Sequence, residues 1–176
     1  MKKTYRIALS AIAEEFHFEV VVRPENYEGI MIETPEVNRP GLALAGFYGV
    51  FDADRIQLIG KAETQYLQSI EPSTKRVMLQ KFVDAHPVAI LYTTGLPVDD
   101  ALIERARREQ VPVLRTPIKT SPIMSSLIAS LNNHLAPRIT RHGGLVEVYG
   151  EGLLLLGDSG VGKSETAIEL VKRGHR

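Results

Sequence analysis

The chain changes its hydrophobic rhythm repeatedly, and each change predicts an element. Leu9, Ile12 and Phe16 share one helical face, which predicts a first amphipathic helix. Phe18-Glu19-Val20-Val21-Val22 has strand composition and stops at Arg23-Pro24. Residues 29–33 predict a short strand ended by Thr34-Pro35, and residues 42–51, after Arg39-Pro40-Gly41, are apolar and small. Arg55-Ile56-Gln57-Leu58-Ile59-Gly60 alternates before a glycine, again a strand pattern. Residues 63–69 look helical, and Pro72-Ser73 opens a helix in which Val77, Phe82 and Val83 would face inward.

Val88-Ala89-Ile90-Leu91-Tyr92 is apolar throughout, as in a strand buried on both faces. Asp99 and Asp100 precede a helix reaching about Gln110, and an N-cap is their expected role. Residues 111–115 predict a strand with Pro112 at its start or on an edge. Residues 123–135 predict a helix with Met124, Leu127, Ile128 and Leu131 on one face. Strands alternating with helices imply an α/β domain with a largely parallel sheet over residues 1–135. Residues 136–141 would be a linker, with a second unit extending to residue 176.

That second unit begins at Gly143-Gly144. Residues 145–149 alternate and turn at Gly150-Glu151-Gly152; residues 153–156 predict a buried strand. A glycine-rich loop follows, then a helix to Lys172 or Arg173, stopped by Gly174. The helix is expected to bury Ala167, Ile168, Leu170 and Val171 and to pair Glu169 with Arg173 at i,i+4.

Composition narrows the function classes. Of 176 residues, 44% are hydrophobic and 24% charged, which is globular rather than disordered. Lys+Arg and Asp+Glu are both 21, so a general nucleic-acid-binding surface, which needs a basic excess, is excluded. A local phosphate site is not, because backbone amides build one without net charge. There is no cysteine, which removes disulfides, thiolate metal sites and cysteine nucleophiles. Lys2 and Lys3 before the apolar residues 7–13 imitate a signal peptide, but Glu14-Glu15 follow at once. No apolar run nears the roughly 18 residues of a membrane span, and a cytoplasmic protein is expected.

Gly157-Asp158-Ser159-Gly160-Val161-Gly162-Lys163-Ser164 matches the phosphate-loop pattern G-x-x-x-x-G-K-[ST], with a strand predicted before and a helix after. Gly157, Gly160 and Gly162 let the backbone bend and approach phosphate oxygens. Loop amides and the helix N-terminus supply donors. Lys163 supplies a point charge to the β- and γ-phosphates, and the Ser164 hydroxyl is placed to bind Mg²⁺. Phosphoryl transfer also needs a second metal carboxylate and a base. Asp52, Asp54, Asp99 and Asp100 lie in the first domain, away from the loop in sequence. His17, His86, His134 and His175 show no ligand spacing. His142 reads on spacing alone as a linker residue, although two strands folding back would bring it towards the phosphates.

The stretches from His142 to Gly150, Gly157 to Ala167 and Glu169 to Arg176 resemble HPr kinase/phosphorylase. Arg39-Pro40-Gly41-Leu42-Ala43-Leu44-Ala45-Gly46-Phe47 and Arg55-Ile56-Gln57-Leu58-Ile59-Gly60-Lys61 agree with it. The resemblance implies a bacterial, bifunctional serine protein kinase/phosphorylase of carbohydrate metabolism. It would phosphorylate a serine of HPr, the phosphocarrier of the sugar phosphotransferase system, with ATP or pyrophosphate. It would remove that phosphate by phosphorolysis with inorganic phosphate. The implied architecture is an N-terminal α/β domain like the first domain of Mur ligases, then the start of a P-loop kinase domain, in a hexamer built through kinase domains. By the same resemblance His142 matches an active histidine, Lys163 the loop lysine and Ser164 the Mg²⁺-binding serine. The family pattern continues past Gly174-His175-Arg176 with a strand, paired aspartates, a Mg²⁺ glutamate and HPr-binding helices. The chain is therefore expected to be the N-terminal part of the enzyme, inactive alone. Two alternatives remain: a stand-alone ligand- or partner-binding α/β module with a non-functional tail, and an unrelated P-loop NTPase.

Overall fold

The computed structural model describes residues 5–138 and 140–176. Lys2 and Lys3, weighed above against a signal peptide, and Ile139 of the expected linker lie outside the described residues. The chain divides into two compact units, Met1–Pro137 and Arg138–Arg176. Among the described residues, no helix is long and apolar enough to cross a membrane.

The first unit opens with β1 (Ile7–Ala8), α1 (Leu9–Glu15), β2 (Glu19–Val22), β3 (Met31–Ile32) and β4 (Val37–Asn38). It continues with α2 (Gly41–Leu44), β5 (Ile56–Ile59), α3 (Lys61–Gln68), α4 (Pro72–Asp84) and β6 (Ala89–Tyr92). It closes with α5 (Asp100–Glu109), β7 (Val113–Arg115) and α6 (Thr120–Leu135). The main sheet has the order β2-β7-β6-β5-β4. Strands β4, β5, β6 and β7 are parallel, and β2 joins as an antiparallel edge with Glu19 opposite Arg115. Strands β1 and β3 form a separate antiparallel pair.

Both faces of the main sheet are covered. Ala89 and Leu91 of β6 pack with Leu9 and Ile12 of α1 and Ile123, Leu127 and Leu131 of α6. Ile90 and Tyr92 pack on the other face with Leu67 of α3, Leu79, Phe82 and Val83 of α4, and Leu102 and Ala106 of α5. The period of two along β6 sends its side chains alternately into these two layers, and all four are buried. Each fully buried large side chain is worth about 1.5–3 kcal/mol relative to exposure.

Three elements differ from expectation for identifiable reasons. Val77 is 63% exposed, whereas Leu79, Phe82 and Val83 are fully buried. At 100° per residue, Val77 lies roughly opposite Leu79 on α4. Gln57, the polar position of an alternating strand, is fully buried. Its amide is satisfied: Nε2 donates to the carbonyls of Asp52 and Arg55, and Oε1 accepts from Asn38. Helix α6 begins at Thr120, before Pro122, because a first-turn residue needs no N–H for the helical ladder. Other expectations agree with the structure. Pro112 precedes β7, which lies inside the sheet, and its carbonyl accepts from Ile90. Asp99 caps α5 by accepting from the Ala101 amide and pairs with Lys75 at 2.6 Å.

The second unit contains β8 (Gly144–Val148), β9 (Glu151–Leu155) and α7 (Lys163–Lys172). Tyr149 and Gly150 both have positive φ, +51° and +86°, as a two-residue hairpin turn of type I′ requires. The turn thus lies one residue earlier than the glycines suggested. Residues 153–156 and the apolar face of α7 are not the buried elements expected. Leu153, Leu154, Leu156, Ile168 and Val171 are between 45% and 59% exposed. One two-stranded hairpin and one helix supply too little cover to bury both faces.

Two outcomes test this packing. Phe82→Ala should destabilise the first unit by about 3–5 kcal/mol, read by urea denaturation; an unchanged midpoint would remove Phe82 from the core. The carboxyl of Glu15 accepts from the Ser130 hydroxyl at 2.7 Å and meets His134 at 3.0 Å, and the Ser130 bond above all holds it below the usual glutamate range. A depressed folded-state value stabilises above the unfolded pKa and is lost as pH falls through the folded one. The drop in melting temperature between about pH 6 and about pH 3 should therefore be smaller in Glu15→Gln than in the native chain.

Candidate functional site

The second unit is built around a strand, a loop and a helix. Strand β9 ends at Leu155 and α7 begins at Lys163, so the loop crosses back within seven residues. Gly157, Gly160 and Gly162 have φ of +154°, +87° and +90°, a region that side chains resist. Gly157 is further constrained by space: a Cβ there would lie 2.9 Å from Val161 Cγ2. Gly162 is the residue before α7, and its carbonyl accepts both the amide and the hydroxyl of Thr166 at 2.9 Å. The N–H groups of the first turn of α7 have no intrahelical acceptor and carry the positive end of the helix dipole.

Lys163 turns back into the loop. Its Nζ donates to the carbonyls of Gly157 at 2.7 Å and Asp158 at 2.5 Å. An ammonium has three donors, so one remains for another acceptor. The donor set is a helix N-terminus, one ammonium and the Ser159 and Ser164 hydroxyls. That chemistry fits phosphate oxygens. It also fits Mg²⁺ only as an ion shared with them. Among the described residues no cluster of three His, Asp or Glu side chains could hold a metal, and the Ser164 hydroxyl is the neutral oxygen that the loop would offer to one.

The residues named from sequence as a loop, 157–164, stand together as one. His142 is exposed and has no hydrogen-bonding partner among the described residues. The β8–β9 register pairs Gly144 with Leu155, so His142 lies two residues before β8, on the side of the hairpin from which β9 leads into the loop. Gly143 permits the close approach, since a Cβ there would lie 2.7 Å from the Leu155 carbonyl oxygen. At the far end of α7, Gly174 (φ +92°) forms a Schellman cap: His175 N–H donates to Leu170 and Gly174 N–H to Val171. Arg176 then exchanges backbone hydrogen bonds with Glu147 of β8. The carboxylates Asp52 and Asp99 are engaged in the first unit, with Arg55 and with the cap of α5.

Sequence reading missed a cavity of about 530 Å³ in the first unit, lined in part by Arg39, Lys61 and Lys119. Two of these residues lie in the stretches that carry the resemblance, yet spacing gave no signal. The three come from separate strand–helix junctions that only the sheet brings together.

The comparisons agree with this architecture. The family model for the HPr Serine kinase N terminus matches residues 7–131, and that for the HPr Serine kinase C-terminal domain matches residues 133–176. An HPr kinase/phosphorylase of Lachnoclostridium phytofermentans is 42% identical over 98% of this chain and 56% of its own length. One from Geobacillus thermodenitrificans is 42% identical over 97% of this chain and 55% of its own length. The chain thus spans about half the length of the curated relatives it matches. A solved structure of the CBS and DRTGG domains of a Clostridium perfringens pyrophosphatase aligns with TM-score 0.47 and 18% identity, over 69% of this chain and 45% of that one. With the N-terminal model alone matching well over half of its residues, the chain belongs to the HPr serine kinase family.

Proposed function

We propose that the second unit binds the phosphates of a nucleotide as the opening part of a serine protein kinase/phosphorylase acting on HPr. The observation that supports this most is the loop itself: Lys163 folded onto the Gly157 and Asp158 carbonyls, with one donor spare, at the N-terminus of α7. The relatives' names supply the substrate, HPr. In this reading residues 157–164 cradle ATP or pyrophosphate, with Gly157, Asp158, Ser159, Gly160, Val161 and Gly162 contributing backbone. Lys163 binds and orients the β- and γ-phosphate oxygens, and Ser164 holds Mg²⁺, which when bound neutralises charge on those oxygens. His142, two residues before β8, positions the phosphate that is transferred. The proposed setting is the cytoplasm, in a hexamer, with inorganic phosphate as acceptor in the reverse reaction.

A second reading, that the first unit works as a stand-alone binding module, is favoured by one contrast. The first unit buries its core on both sheet faces, whereas the second leaves Leu153, Leu154, Leu156, Ile168 and Val171 exposed. Titrating the 176-residue chain with MgATP separates the two readings. Saturable binding abolished by Lys163→Ala supports the kinase reading, and no binding supports the module. In a protein of the relatives' full length, Lys163→Ala should lower HPr phosphorylation by about 10²–10³-fold, the scale on which charge-stabilising groups act. His142→Ala should lower the rate while leaving nucleotide affinity within about threefold. A wild-type rate in Lys163→Ala would remove the lysine from the site.

A further inference from the structure

The first unit carries a site that the phosphate loop does not explain. Its cavity of about 530 Å³ opens where β5 and β6 end and where α3 and α6 begin. The carboxyl ends of parallel strands are where α/β sheets bind ligands, because loops diverge there and helix N-termini converge. The lining includes Arg39, Lys61, Thr94, Lys119, Thr120 and Ser121, and no acidic side chain belongs to it. Arg39 is held from behind: its Nε and Nη2 donate to Glu63 Oε1 and Oε2, both at 3.1 Å. Glu63 is buried, and its Oε2 also accepts the Gly60 amide at 2.9 Å. The guanidinium is therefore positioned and its charge balanced. Lys61 and Lys119 have no ion pair or hydrogen bond from their ammonium groups among the described residues. The cavity keeps two uncompensated positive charges.

Close contacts join the elements that wall it. Thr93 and Thr120 share a hydroxyl–hydroxyl hydrogen bond of 2.6 Å, tying the end of β6 to the start of α6. A Cβ on Gly60 would lie 2.4 Å from Thr120 Oγ1, so the start of α3 is pressed against the start of α6. The first helical bond of α3 is Thr64 N–H to Gly60, and that of α6 is Ile123 N–H to Lys119. The preceding amides of both helices are left without intrahelical acceptors. Thr94, between them, has φ +62°, a conformation that a β-branched residue adopts at a cost.

We propose that this cavity binds the phosphate group of a small anionic metabolite, with Lys61 and Lys119 as its charge partners and Arg39 as a fixed donor. The cavity belongs to the first unit and the phosphate loop to the second, and the test does not depend on the kinase reading. The full 176-residue chain carrying Lys163→Ala, which silences the loop, is titrated with inorganic phosphate and with glycerol phosphate while amide NMR shifts are followed. The expected result is saturable shifts at residues 60–62, 93–95 and 119–121 with either probe, weakened by added salt. Stronger binding of glycerol phosphate assigns the site to a phosphate monoester; equal or weaker binding assigns it to phosphate itself. Adding Lys61→Ala with Lys119→Ala should weaken binding about tenfold or more, whereas Lys61→Arg with Lys119→Arg, which keeps both charges, should stay within about threefold. Both pairs should melt close to their parent, since both lysines are exposed. No shift at these residues up to about 50 mM of either probe, or equal shifts in the alanine pair, would overturn the proposal.

Discussion

Strand β6 sends Ala89 and Leu91 into one face of the sheet and Ile90 and Tyr92 into the other. Neither set can meet water cheaply, so each face needs its own helical layer. That constraint places α1 and α6 on one side and α3, α4 and α5 on the other. It also forces parallel order among β4 to β7, because helical crossovers are what cover both faces. The cavity beside Lys61 and Lys119 is a consequence. Parallel strands end together, and the helices that leave them start together.

The second unit rests on local physics instead. Its loop needs three glycines at positive φ and a lysine able to fold back on loop carbonyls. These demands are met within eight consecutive residues, so the loop's backbone shape is specified locally. Its hairpin is equally local, with Tyr149 and Gly150 in the turn and Gly143 packed against the Leu155 carbonyl. What this unit lacks is cover. The exposed leucines of β9 and the apolar face of α7 show that a loop can be well defined where a core is not.

Where sequence and structure part, the cause is tertiary. Gln57 is a polar position in the alternating stretch 55–60, and alternation by itself says nothing of hydrogen-bond partners within the fold. Gln57 is buried because Asn38 and two carbonyls satisfy its amide. Val77 looked inward because it is apolar, but its angle on α4 is set by Leu79, Phe82 and Val83, which pack on the sheet. The glycines at 150 and 152 located the hairpin turn only to within one residue, since register is chosen by the pairing of Gly144 with Leu155. His142 gave no clear signal by spacing, because what a residue two positions before β8 can meet depends on how β8 pairs with β9.

The sequence alone determined the alternation of strands and helices, the phosphate loop with its lysine and serine, and the family to which these belong. All of these depend on residues close together in the chain, where periodicity and backbone conformational preference act directly. Tertiary structure decided which apolar residues are covered, which face of the sheet each helix occupies, and that Arg39, Lys61 and Lys119 meet around one cavity. These depend on residues brought together by the order of strands in the sheet. No local preference encodes that order, because it is the outcome of burying two faces at once.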